Sequence, residues 1–301
     1  MYEQIAANRR RTVLLFLGAG VFAVLIGLVG GYLMGYGAWG VTVAVAIAVA
    51  MSLASYYAGD KLVLASTRAR EVTAQEEPRL HNLVEGLAIA AGIPKPRVHI
   101  VPEQAPNAYA TGRDPEHASI AVTEGLLATM NRVELEGVLA HEMAHIQDRD
   151  ILVGTVVATV VGSAVLLAEF MMRAWFWGGL RGRRGNDSNG GPVALVLFAV
   201  GIVLLLIAPI AGQIIKASVS RNREFLADAQ GAMLTRYPPG LAGALQKIAG
   251  TSTALHAANN ATAHLWLNQP SRFEGEKMGP LEKLFSTHPP IGERIRRLQE
   301  M

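Results

Sequence analysis

The chain has 301 residues, 51% of them hydrophobic and 17% charged, and a formal net charge of +3. So small an excess, part of it arginine beside apolar runs, offers no electrostatic footprint for nucleic acid. Cysteine is absent, which excludes disulfides and thiolate metal sites, so any metal must be held by histidine and carboxylate.

Arg9, Arg10 and Arg11 precede a stretch without charge that ends at Asp60. It is long enough for two helices across a hydrocarbon core of about 30 Å. The first span is predicted over Val13 to Met34 and the second over Val41 to Tyr57, with a turn at Gly35 to Gly40. Tyr32, Tyr36, Trp39, Tyr56 and Tyr57 fall near the interfaces. The first run is too long for a secretory signal, and another span follows at once. Arg9 to Arg11 on one flank and Lys61, Arg68 and Arg70 on the other place both flanks in the cytoplasm by the positive-inside bias.

Pro78 to Ala91 predicts a helix stopped by Gly92, and Pro96 to Val101 and His117 to Val122 predict strands. Between those strands stands NAYATG, Asn107 to Gly112. Asn107, Ala108 and Tyr109 could offer backbone groups to an extended substrate along a sheet edge; the other reading is an ordinary turn after Pro106.

The next segment carries the chemistry. Asn131 and Glu134 have the spacing of a reciprocal helix cap, and Val133, Leu135, Val138 and Leu139 give the helix an apolar side. On it lies HEMAH, His141 to His145. Positions four apart stand one above the other on a helix, so His141 and His145 can offer two imidazole nitrogens to one metal. Glu142 sits beside them without being a ligand, where a carboxylate can take a proton from a metal-bound water attacking a peptide carbonyl.

A second apolar pair follows, Ile151 to Ala168 and Pro192 to Ile215, joined by a Gly- and Arg-rich loop. Glu169 and Arg173 interrupt the end of its first helix, so either that span ends near Ala168 or the hairpin is partly shielded by protein. Beyond it, SRNREFLADAQGA from Ser220 to Ala232 reads as a helix. By itself it reads as a charged helix whose Arg221, Arg223, Glu224 and Asp228 pair in solvent, but a catalytic zinc site needs a third protein ligand beside His141 and His145, and Glu224 is the best candidate. Asp228 shares its face at i+4 and can accept a hydrogen bond from a ligating imidazole. Of the remaining histidines, His288 could donate to the oxyanion of a tetrahedral intermediate or serve as a cap or packing residue. His256 and His264 read as solvated loop histidines near Trp266.

HEMAHIQDRD, the apolar segment after it and SRNREFLADAQGA together resemble the HtpX family of membrane-embedded zinc metallopeptidases, relatives of the CAAX prenyl proteases. NAYATG and FSTHPPIGERIRRL, Phe285 to Leu298, follow the family's segments in order, so the resemblance covers nearly the whole chain. It implies His141, His145 and Glu224 as ligands of one Zn2+ per chain, Glu142 as catalytic base and Asp228 as the partner of a ligand. It also implies an α+β, predominantly helical fold: a gluzincin-like zinc peptidase domain with a small sheet, joined to about four transmembrane helices. The chain then divides into an N-terminal transmembrane hairpin (1–60), a first part of the peptidase domain (61–150), a second apolar hairpin (151–215) and a second part of the domain (216–301).

Both metal-bearing segments adjoin the second hairpin, which sets the site close to the bilayer surface. The expected function is a membrane-integrated zinc endopeptidase of the bacterial inner membrane with its site facing the cytoplasm. Its expected partners are the lipid bilayer and membrane-protein or peptide substrates, and its role is quality control of misfolded or damaged membrane proteins. A CAAX-type prenyl-peptide protease is the nearest enzymatic alternative. A metal-holding scaffold without turnover has no need of Glu142, and a transporter would carry its polar groups inside its spans.

Overall fold

The computed structural model describes residues 38–159, 221–251 and 289–301, with separate positions between 6 and 24 and between 255 and 267. The predicted first span and second hairpin fall largely outside these residues, and His256, His264 and His288 wholly so. The described chain is mostly helical with one small mixed sheet.

Helix α1, Ala38–Ser66, is longer than the predicted span: it begins inside the predicted turn and runs past Asp60 and Lys61 to the edge of the domain. Its end is tied in by Val63 and Leu64, both buried, and by Thr67, whose Oγ1 lies 2.6 Å from the Tyr109 hydroxyl. Its outward side chains are apolar, with Trp39, Val43, Ile47, Val49 and Leu53 all exposed. Among the described residues alone, no helix is long and apolar enough to cross a membrane.

Strand β1, Arg70–Glu71, leads to helix α2, Pro78–Ala91. Pro78 suits the first turn, and Gly92 ends the helix in the left-handed region at φ 67°, as the sequence predicts. Strands β2, Arg97–Val101, β3, Ala108–Gly112, and β4, Ala118–Thr123, complete a sheet in the order β1-β2-β4-β3. β2 runs parallel to β4, and β3 pairs with β4 antiparallel, with Ala110 opposite Ile120. NAYATG is therefore an edge strand rather than a turn.

Helix α3, Glu124–Thr129, is capped by Thr123, whose side chain accepts from Leu126 N–H. Helix α4, Arg132–Gln147, carries the motif, and its cap forms as expected: Asn131 accepts from Glu134 N–H at 3.0 Å while Glu134 accepts from Asn131 N–H at 2.9 Å. The sequence suggested one apolar side, but α4 is buried nearly all round, the mark of a central helix. Helices α5, Arg221–Thr235, and α6, Pro238–Ala249, enclose it with α2 and β3, and helix α7, Ile291–Gln299, packs on α6 and α5.

Two glycines permit this enclosure. A Cβ at Gly137 would lie 2.6 Å from the Leu241 amide of α6, and one at Gly231 would lie 2.9 Å from the His141 amide. Such distances are closer than any side chain tolerates, so the backbones of α4, α5 and α6 approach only because those positions are bare. Contact between Gly231 and His141 is also what carries the upstream turns of α5 across the motif.

Candidate active site

His141 and His145 lie on consecutive turns of α4, and Glu224 enters from the first turn of α5. The Nε2 atoms of the two histidines are 3.1 Å apart. Glu224 approaches them with Oε2 at 3.8 Å from His141 Nε2 and Oε1 at 3.6 Å from His145 Nε2. One donor atom from each residue lies within 4.8 Å of the others.

Each imidazole is oriented from behind. His141 Nδ1 stands 2.9 Å from Asp228 Oδ1, and His145 Nδ1 stands 3.1 Å from Asp150 Oδ2. With the Nδ1 protons donated to carboxylates, both Nε2 lone pairs face one point. Each carboxylate has its own arginine. Arg294 donates to Asp228 through Nε at 2.8 Å and Nη2 at 2.7 Å, and its Nη1 is 3.7 Å from Glu224 Oε2. Arg223 Nη1 donates to Asp150 Oδ1 at 2.6 Å.

The carboxylate behind His145 owes its place to a break in the chain. Arg149 adopts φ 58° after the end of α4, and a new helix, described over residues 150–159, starts at once. Asp150 is thereby turned back toward the histidine five residues before it.

Burial shapes the charges. It pushes the Glu142 carboxyl up to about 7, opposed by His145 and by a hydrogen bond from the Ala110 backbone. At Asp228 burial works upward but Arg294 outweighs it, holding the carboxyl at about 2. His141 is lowered to about 4 by burial against the pull of Asp228. At His145 burial works downward, but Asp150, Glu224 and Glu142 outweigh it and push the imidazole up to about 9, so a cation bound there would take the place of its proton.

The residues fit a metal. Donors placed 2.0–2.1 Å from a tetrahedral ion are roughly 3.3–3.4 Å apart, close to the separations of the three Nε2 and Oε atoms. Zinc suits two imidazoles and a carboxylate, and the group of His141, His145 and Glu224 could bind one such ion. We expect Glu224→Ala to lose most zinc affinity, with Asp228→Asn and Asp150→Asn each weakening it by about tenfold to a hundredfold. Competition against a chelator measures the order. Equal affinity in Glu224→Ala and wild type would place the third ligand elsewhere.

The backbone offered by NAYATG is mostly engaged within the chain. Asn107 N–H donates to Thr123 Oγ1, Ala108 N–H to Asn107 Oδ1, and Ala108 O accepts from Leu267 N–H. Tyr109 is fully buried in the second core cluster. The edge residue that reaches the cleft is Ala110, beside Glu142 and His145.

Asp150, Arg223 and Arg294 were not singled out from sequence. Asp150 lies five residues after His145, off the helical row, and only the Arg149 break brings it back. Arg294 did leave a signal: with Ile291, Ile295 and Leu298 it follows the i, i+3, i+4, i+7 stripe, so an arginine stands where an apolar residue belongs. It is 1% exposed.

A model of the family described as Peptidase family M48 matches residues 74–301. A Protease HtpX homolog of Thermoanaerobacter pseudethanolicus is 45% identical over 305 residues, covering 100% of this chain and 98% of that protein. One of Streptococcus gordonii is 39% identical over 302 residues, covering 100% of both. Among solved structures, S. mikatae Ste24p is similar in fold, with a TM-score of 0.51 and 17% identity over 99% of this chain and 67% of that one. With its histidine pair on one helix and the glutamate brought in from the next, the chain belongs to peptidase family M48, on its HtpX branch, and is a metallopeptidase.

Proposed function

We propose that the chain is a membrane-integrated zinc endopeptidase that cuts misfolded or damaged membrane proteins at the cytoplasmic face of the bacterial inner membrane. The observation that carries the chemistry is the convergence of both Nε2 atoms and the Glu224 carboxylate beside a buried Glu142. His141, His145 and Glu224 would hold the zinc. When bound, the ion lowers the pKa of water and polarises the scissile carbonyl.

The protein's own groups do the rest. Glu142, raised to about 7 by burial, takes the proton of the attacking water and returns it to the leaving amine. The Ala110 N–H holds its carboxylate toward the cleft. Asp228 and Asp150 fix the imidazoles through Nδ1, which aims Nε2 of each at the point a metal would occupy.

What supports the membrane placement is the absence of charge from Thr12 to Gly59 and the apolar outward side chains of α1. The name of the HtpX relatives supports the protease chemistry. The decisive experiment reconstitutes the zinc-loaded protein with a destabilised membrane protein, with Glu142→Gln as the control. Cleavage by the wild type alone supports the reading; no cleavage in either overturns it.

Topology has its own test, since the chain lacks cysteine. Cysteines introduced at Gln75 and Thr251 are expected to react with an impermeant thiol reagent only once the cytoplasm is opened, whereas one at Ala38 reacts from outside. External labelling at Thr251 in intact cells would overturn the cytoplasmic site.

A further inference from the structure

The cleft holding Glu142 and the three donors is closed on one side by the chain itself. Residues 265–267 end a turn in which Leu265 N–H donates to Thr262 O at 3.0 Å. The turn reaches the outer edge of β3, where Leu267 N–H donates to Ala108 O at 2.9 Å, a bond of the kind an added strand makes. Leu267 is fixed there, because its carbonyl accepts from Arg294 Nη1 at 3.0 Å. Trp266 has no exposed surface and meets Tyr109 edge to face at 4.7 Å, yet its Nε1–H finds no acceptor among the described residues.

Leu265 is different: it is half-buried, and its side chain rests over Gly154. A Cβ at Gly154 would come within 2.8 Å of Leu265 Cδ2. Gly154 lies one turn beyond Asp150, so the bare position opens a notch next to the group that orients His145. Ile151 and Trp266 border the same cleft.

We propose that the notch at Gly154 is the subsite for an aliphatic side chain of the substrate, and that Leu265 fills it in the resting protein. The proposal rests on the peptidase reading and deepens it by naming the substrate's chemistry. The notch has the size and apolarity of a leucine terminus because a leucine terminus occupies it. An extended peptide laid along β3 toward Ala110 approaches from the place where Leu267 already bonds, so its side chain and that of Leu265 compete for one space. The turn gives way at Leu265, which is held by side-chain contact, while Leu267 stays on Arg294. Substrates with leucine, isoleucine or methionine at that position are favoured.

The test measures binding of a short fluorescent peptide with leucine at alternate positions, and of its all-alanine counterpart. The host is zinc-loaded Glu142→Gln protein in detergent, so that no cleavage intervenes. Adding Leu265→Ala is expected to tighten the leucine peptide roughly threefold to tenfold, because the competing occupant is gone. Leu265→Met refills the notch and leaves affinity as it was. Gly154→Ala shrinks the notch and weakens the leucine peptide at least about fivefold more than the alanine peptide.

Unchanged or weaker binding of the leucine peptide in Leu265→Ala overturns the proposal, as does an equal loss of both peptides in Gly154→Ala. Should Gly154→Ala not fold, the Leu265 pair decides alone. Failure of the peptidase reading looks different, since the zinc-loaded protein with an intact Glu142 then cuts neither peptide whatever the binding series gives.

Discussion

Glu142→Gln is expected to lower turnover by about a hundredfold to ten-thousandfold while zinc content stays at the wild-type level. Glutamine preserves the size of the side chain and its hydrogen bond from the Ala110 backbone but removes the proton acceptor. Because Glu142 is 2% exposed, bulk water has no easy route to replace it. Metal analysis and turnover on the same preparation separate the two roles. Appreciable cleavage by the purified variant, with contaminating proteases excluded, would remove Glu142 from the mechanism; parallel loss of zinc would make it a structural residue.

Arg294→Met is expected to destabilise the protein by about 3–5 kcal/mol, because it strands the buried Asp228 carboxylate. Both nitrogens now given to Asp228 would be lost, together with the donor to Leu267 O. Lysine cannot reproduce the two-pronged contact, so Arg294→Lys rescues little. The exposed Arg296 on the same helix is the control: Arg296→Met stays within about 0.5 kcal/mol of wild type. Denaturant unfolding gives the comparison, and equal stability in the two variants would show that Asp228 does not depend on its guanidinium. Combining Arg294→Met with Asp228→Asn should recover part of the loss, since the stranded charge is gone.

Local signals carried the most legible parts. The Asn131 and Glu134 cap, the proline start and glycine stop of α2, and the short apolar runs of β2 and β4 each need only neighbouring residues, and each forms within a residue of where it is expected. Helical spacing picks out the pair His141 and His145, and Asp228 four residues after Glu224; the structure gathers His141, His145 and Glu224 around one point and sets Asp228 behind His141. What spacing cannot show is contact set by a change of direction. Asp150 depends on the left-handed Arg149, and Arg149 has no glycine or asparagine to announce it. Gly231 reads as a weak spot in a helix until the His141 amide is found against it. β3 stays undecided between sheet edge and turn for another reason: five small or mixed residues beginning after Asn107 carry no strong alternation, and only pairing to β4 makes them a strand.

The direct seat of Gly231 on the backbone of His141 means that the two halves of the peptidase domain are joined by packing, not by the chain that runs between them. The sequence from residue 160 to residue 220 is thus an excursion that leaves one helix and returns to its immediate neighbour. Closing such an excursion costs entropy only logarithmically in its length, about 0.6 kcal/mol for each doubling. The seat of α4 on α5 therefore sets where that stretch leaves and re-enters the domain, while its length weighs only weakly on the domain's own stability.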